Sequence, residues 1–223
     1  ASVPEPASPT PHAEPARYEL RVFGARLSRV AARMRRRGRD EGVDVQHKLY
    51  LLGRRADVNL KVREGRLEVK RRVGRRGALE RWAAEPAQPL PLDPDWARAA
   101  LPALLGVPAL PPLPEAPLSL RDLVLRVVLP LPHLDVCSVH AQRRRFALGA
   151  GVRAEHGEAR VSGLRIGTAA VEGVDAEAVR RAALLVGLDP AANTSWPAAL
   201  RELRFAPDGL VAETPEMPHG ASA

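Results

Sequence analysis

The sequence predicts an α+β fold: an antiparallel β-barrel-like tunnel with flanking helices. Three observations predict it. Several runs alternate apolar and polar residues strictly, one of them carries a sharp hairpin signal, and helix-period segments are inserted between strands at irregular intervals. The chain has 223 residues, enough for one domain with a sizeable core.

The elements follow in order. Residues 17–23 alternate as a strand. Residues 25–37 have helical spacing, with Leu27, Val30, Ala31 and Met34 on one face, and Gly38 ends the helix. Residues 43–52 read as a second strand. Residues 57–73 form two alternating runs joined at Glu64-Gly65, a hairpin by pattern and by turn chemistry. In the first run Val58, Leu60 and Val62 oppose Asn59, Lys61 and Arg63; in the second Leu67, Val69 and Val73 oppose Glu68, Lys70 and Arg72. The two strands therefore present their basic residues at matched depth.

Beyond the hairpin, residues 93–105 read as a helix capped by Asp93, and the Pro-rich 106–117 as an extended wrap. Residues 119–129 form a short helix capped by Ser119. Strands follow at 135–148, 151–161 and 164–173. Asp175 caps a helix through Val186, and a last short helix covers 197–204. The Pro-, Ala- and Ser-rich residues 1–16 are expected as a disordered tail, 17–205 as the folded domain, and 206–223 as a C-terminal tail.

Charge alone says less than it promises. A net charge of +8 and a pI near 10.8 point to an anionic partner. Yet 31 of the 34 basic residues are Arg and only 3 are Lys, a bias that a GC-rich genome produces without functional demand. Position must carry the reading. Arg21 sits on the first strand, Lys61 and Arg63 on the third, Lys70 and Arg72 on the fourth, Arg143 and Arg145 on a later one. Period-two spacing puts each pair on one face of its strand. Converging inside a barrel, these cations would be strongly unfavourable without an anion of high charge density. Polyphosphate or a nucleoside triphosphate fits, since guanidinium forks and ammonium points both suit phosphate oxygens. The competing reading is an ordinary amphipathic strand with its polar face in water.

Other classes recede. Cys137 stands alone, which leaves no disulfide framework and no Cys-based zinc site, and a buried inert thiol is expected. Six histidines are scattered with no pair at ligand spacing. Ser138 and Ser195 lack a glycine-rich elbow, and no Walker-type loop is present. The Arg-rich run 33–39 closes a helix, where cations suit the dipole. With 3 Phe, 2 Tyr and 3 Trp, stacking platforms for nucleic acid are scarce, so an RNA contact there is disfavoured. No apolar run reaches a membrane span or a signal peptide, so a soluble cytoplasmic protein is expected.

The order of these motifs resembles the CYTH, or triphosphate tunnel metalloenzyme, superfamily, over roughly residues 17–205. Its members begin with a Glu-x-Glu-x-Lys strand, then a basic hairpin, a Lys-x-Arg strand and late acidic strands. Arg17-Tyr18-Glu19-Leu20-Arg21 looks like a degenerate first motif, Lys61-Val62-Arg63 like the Arg-x-Arg strand, and Glu68-Val69-Lys70 like the strand after it. Arg143-Arg144-Arg145 is similar to the Lys-x-Arg strand. Glu155 or Glu158 lies where a late acid belongs, and Ala170-Val171-Glu172 at the Glu-x-Glu strand before the closing helix. Leu79-Glu80-Arg81-Trp82 resembles a segment that follows the hairpin in a divergent bacterial branch.

The resemblance implies a CYTH-like tunnel that binds a triphosphate, polyphosphate or nucleotide and hydrolyses it with Mg²⁺ or Mn²⁺. It implies Arg21, Lys61, Arg63, Lys70, Arg72, Arg143 and Arg145 as phosphate ligands. It implies Glu19, Glu155, Glu158 and Glu172 as metal ligands, with Glu19 and Glu172 catalytic and Glu68 as an outsider. Two family acids are replaced here, which leaves an alternative: a non-catalytic sensor or scaffold with a degenerate metal site.

Overall fold

The computed structural model describes residues 14–205. The expected C-terminal tail and all but residues 14–16 of the expected N-terminal one lie outside the described residues.

Nine strands form one antiparallel sheet: β1 (Arg17–Gly24), β2 (Arg39–Leu52), β3 (Val58–Arg63), β4 (Arg66–Arg76), β5 (Leu79–Ala84), β6 (Gln88–Pro89), β7 (Asp135–Gly149), β8 (Val152–Val161) and β9 (Leu164–Gly173). Their order is β3-β2-β7-β8-β9-β1-β5-β4-β6, and an added β3–β4 pairing closes eight of them into a barrel. Closure satisfies the strand edges that an open sheet would leave to solvent. The expected antiparallel barrel-like architecture with flanking helices is borne out.

Local chemistry explains the elements. Glu64 and Gly65 both take positive φ (50° and 70°), the two-residue hairpin turn that matches strand twist, and Arg63 faces Arg66 across it. Helix α1 (Ser28–Arg37) buries Val30, Ala31 and Met34 and stops at Gly38; it starts three residues later than its periodicity suggested. In α2 (Pro94–Leu105) Asp93 accepts a bond from the Trp96 amide at 2.8 Å. A capping box of Ser119 and Asp122 opens α3 (Leu120–Asp122). The chain then widens into a π-helical turn (Leu123–Val128), which lets the adjacent Val127 and Val128 both be buried with Leu123. Asp175 caps α4 (Ala176–Val186), and α5 (Trp196–Phe205) closes the described chain.

Three apolar clusters hold the barrel. Helices α1 and α4 cover one outer face through Met34, Val179 and Val186. Helix α2 and the π-helical turn cover the β3–β4 face through Leu101, Leu105 and Leu123. The third lies inside. Tyr50, Leu52, Val139, Ala141, Ala159 and Ile166 sit at alternate, inward-facing positions of β2, β7, β8 and β9, and pack on Trp196 and Leu200 of α5. One end of the barrel thus has an apolar floor, and the same inward faces become polar towards the other end.

Two features lie outside what local sequence pattern shows. The segment read as a motif at Leu79 to Trp82 is a full strand, β5, inserted between β1 and β4. The histidines do include a close pair: His47 and His140 face each other in register on the exposed outer surface, ring centroids 4.8 Å apart, with His47 Nε2 2.9 Å from Ser138 Oγ. They are 93 positions apart in sequence, so local spacing could not show them.

Candidate functional site

The polar half of the barrel encloses a cavity of about 650 Å³. Strands β1, β3, β4 and β7 bring the expected Arg21, Lys61, Arg63, Lys70, Arg143 and Arg145 to its wall, and Glu19, Glu155 and Glu172 join them. Two expected residues are not there. Arg72 is held by Glu80 at 2.5 Å and lies over the Trp82 ring, so its charge is already neutralised by a buried carboxylate. Glu158 is three positions from Glu155, an odd spacing that points it out of the barrel, where it pairs with Arg165 at 2.6 Å.

Sequence reasoning missed Lys48. Gln46, Lys48 and Tyr50 alternate inward on β2, while Val43 and Val45 of the same strand are exposed. A polar-inside, apolar-outside pattern is the reverse of an ordinary half-buried strand, and that inversion was the available signal. It also missed Asp44, which bridges Arg143 (2.9 Å) and Arg145 and accepts from Gln46 Nε2 at 2.6 Å, and Arg153 at the wall. Glu14, Glu41 and Glu85 line the cavity as well.

The interior charges form a network. Arg21 donates from Nε to Glu19 at 2.7 Å and from Nη1 to Thr168 at 3.1 Å, and its Nη1 lies 2.7 Å from Glu155. Arg143 reaches the other Glu155 oxygen at 2.7 Å. Glu68 pairs with Lys61 (3.1 Å) and Arg63 (2.6 Å). The Arg21 backbone is fixed too: its amide donates to Asn193 Oδ1 at 2.7 Å, and its carbonyl accepts from Thr194 at 2.9 Å, where β5 no longer pairs with β1.

Burial and neighbours set the protonation states. Burial raises the Glu155 carboxyl, but Arg21 and Arg143 more than offset it and hold it at about 2. Burial likewise works against the Glu68 carboxylate, and Lys61 with Arg63 outweighs it, leaving it low. Glu172 goes the other way. Burial raises it first, then the nearby Glu19 charge, and no ion pair or hydrogen bond of its side chain is present among the described residues. Lys61 is lowered to about 8 by burial and by Lys70, against Glu68. Lys48 is lowered further, to about 6, by burial, then by Arg143 and Lys61, with Glu155 opposing.

Carboxylates therefore neutralise much of the cationic wall, which corrects the expectation that only a ligand balances it. They leave Lys48, Lys70 and Arg153 in no ion pair among the described residues, with the Glu172 carboxylate, which Lys70 acts on, also unpaired. The Nε atoms of Arg63 and Arg143 are buried donors without a hydrogen-bond acceptor.

The acids do not fit a resident Mg²⁺ or Mn²⁺ as they stand. Glu19 and Glu155 are bonded to arginines, Glu158 lies outside, and Glu172 alone is free. Among the described residues no group of three His, Cys, Asp or Glu side chains is arranged to hold a metal ion.

No protein-family model matches the chain, and no curated protein matches it. Solved structures do show likeness. The PH1012 protein of Pyrococcus horikoshii is 12% identical, with a TM-score of 0.47 over 82% of this chain and 98% of that one. HpAC1 of Hippeastrum, an adenylyl cyclase candidate described as having a dominant triphosphatase activity, is 14% identical, with a TM-score of 0.47 over 83% and 95%. An adenylate cyclase candidate of Bacillus halodurans is 11% identical, with a TM-score of 0.44 over 84% and 96%. At such scores the likeness decides nothing about chemistry. Among the described residues no helix is long and apolar enough to cross a membrane.

Proposed function

We propose that the barrel cavity binds a chain of phosphates, as a triphosphate or the end of a polyphosphate. One observation carries this reading: six strands bring eight cationic side chains to one wall, and three of them, Lys48, Lys70 and Arg153, form no ion pair among the described residues, against one unpaired buried carboxylate, Glu172. The acceptorless Nε donors of Arg63 and Arg143 add unmet hydrogen-bond capacity of the kind that phosphate oxygens meet. Arg21 and Arg143, each clamped by carboxylates and Thr168 or Asp44, are pre-organised donors rather than loose ones, which lowers the ordering cost of binding.

A second reading, hydrolysis of the chain with Mg²⁺ or Mn²⁺, has one observation in its favour: Glu172 is unpaired and close to Glu19 and Glu155. It requires Glu19 or Glu155 to leave its arginine, so binding is the better supported of the two.

Thermal shift with tripolyphosphate, long polyphosphate and ATP, each in Mg²⁺ and in EDTA, tests both. A ligand at 100 times its dissociation constant adds about 2.7 kcal/mol of stability. Stabilisation that persists in EDTA, without phosphate release, is the result expected. Release of phosphate only with Mg²⁺ or Mn²⁺ would establish the second reading, and no shift with any of the three would remove both.

A further inference from the structure

The chain holds three lysines among 34 basic residues, and all three, Lys48, Lys61 and Lys70, line this one cavity. In a sequence that uses Arg almost everywhere else, the distinction is chemical. A guanidinium stays charged under any physiological condition, whereas a buried ammonium can lose its proton. Lys48 is the extreme case. It is 5% exposed, inward-facing on β2, and its ammonium has no hydrogen bond or ion pair among the described residues.

Its neighbours explain why a charge there is disfavoured. Arg21 of β1, Lys61 of β3 and Arg143 of β7 act on it as cations, and the Glu155 carboxylate of β8 opposes them. Glu155 is already divided between Arg21 and Arg143. On its own strand Gln46 and Tyr50 flank it, and burial keeps the Tyr50 phenol neutral by raising it well above its usual range. Desolvation and these cations lower the ammonium to about 6, so the empty cavity holds Lys48 largely as the neutral amine at pH 7.

We propose that Lys48 couples ligand binding to proton uptake: uncharged in the empty cavity, it takes one proton from solvent when a phosphate chain enters, and then holds the chain as an ammonium. This rests on the phosphate-chain reading above. An anion beside Lys48 opposes the same cations that lower it and supplies the missing acceptor, so the protonated form is stabilised only in the complex. Linkage fixes the sign. Uptake of one proton makes affinity fall by up to about tenfold per pH unit above the midpoint of the empty protein, until the midpoint of the complex is reached.

With three lysines, the Cε resonances of ¹³C-lysine-labelled protein give a spectrum simple enough to titrate site by site, with Lys48→Met assigning its signal. The Lys48 midpoint is expected near 6 in the free protein and at least two pH units higher with saturating tripolyphosphate. Calorimetry at pH 7.5 in buffers of different ionisation enthalpy should show wild type taking up more protons than Lys48→Arg on binding. A Lys48 midpoint near 10 in the free protein, or one that tripolyphosphate leaves unmoved while binding is seen by thermal shift, overturns this inference and leaves the binding reading intact. No thermal shift at all overturns both.

Discussion

Glu19 on β1 and Glu172 on β9 stand directly opposite each other in register, and both line the cavity. Only Glu19 forms an ion pair, with Arg21. Glu172 is therefore an unpaired carboxylate set in a cationic wall, and its carboxyl is raised by burial and by Glu19, against Lys70. A group raised in the folded state contributes stability at low pH and loses it as pH rises through its folded midpoint. Glu172→Gln should raise the melting temperature at pH 7, with the gain shrinking towards pH 4. The same change should tighten tripolyphosphate binding in EDTA by about three- to tenfold through relief of like-charge repulsion. Weaker binding, or a gain that grows towards acid, would contradict this account; loss of metal-dependent phosphate release would instead favour the hydrolytic reading.

Lys61 and Glu68 test the internal neutralisation. They pair across β3 and β4 at 3.1 Å with little exposure, and Arg63 shares the same carboxylate. Lys61→Ala leaves Glu68 with Arg63 alone, at an expected cost of about 1–3 kcal/mol in urea denaturation, the range for orphaning a part-buried group. Adding Glu68→Gln should recover part of that loss. An additive double variant would mean that the pair is not coupled.

The frame of this molecule was legible in its sequence because local chemistry wrote it: Glu64-Gly65 as a turn, Asp93, Ser119 and Asp175 as caps, and alternation in 57–73. Most cavity cations were legible too, since pairs such as Lys61 with Arg63 announce one face of a strand. What failed was information that local pattern does not carry. Glu155 and Glu158 could not be separated until the face of β8 was known. Arg72 has the same parity as Lys70, and only the fold reveals the buried Glu80 that claims it. Lys48 is not legible because the pattern of 43–52 marks a strand without showing which of its faces turns inward. Val43 and Val45 suggest an inward apolar face that the barrel in fact turns outward.

Gly157 shows how tightly β8 must approach β7. A Cβ there would lie 2.1 Å from the Gln142 carbonyl oxygen and 2.8 Å from Arg143 Cα, both backbone atoms. Its φ is not positive, so space rather than conformational freedom requires glycine. Gly157→Ala must push β7 away at the residue that holds Glu155 through Arg143. We expect a loss of about 2 kcal/mol or more, in the range of overpacking, and weaker tripolyphosphate binding than the stability loss alone explains. A variant that melts like the wild type would show that the two strands are less closely bound.

Tryptophan fluorescence offers a direct view of the floor. Trp82 and Trp196 line the cavity, while Trp96 packs with the α2 cluster. Trp196 stacks on Tyr50 at 5.8 Å, meets Phe23 edge-on at 4.8 Å, and lies 5.9 Å beneath the Arg21 guanidinium. A phosphate chain that engages Arg21 alters the field at that ring, so tripolyphosphate should change the emission. Trp196→Phe should remove most of the change. An unchanged response in that variant would place the chain nearer Trp82.

The same floor sets an expectation about chain length. Tyr50 and Trp196 are 1% and 6% exposed and close the apolar end of the barrel beneath the charged wall. If that floor blocks the barrel, a long polyphosphate enters by one of its ends. Each molecule offers two ends whatever its length, so affinity per molecule should stay flat from tripolyphosphate to long chains, at fixed salt. A basic groove on the outside would behave otherwise, since internal segments bind there and affinity per molecule climbs with length. Calorimetric titration with chains of defined length distinguishes them. Flat affinity with one site per protein supports end capture inside the barrel. A steady rise with length, together with indifference to Lys70→Ala, would move the binding surface to the outside arginines of α1.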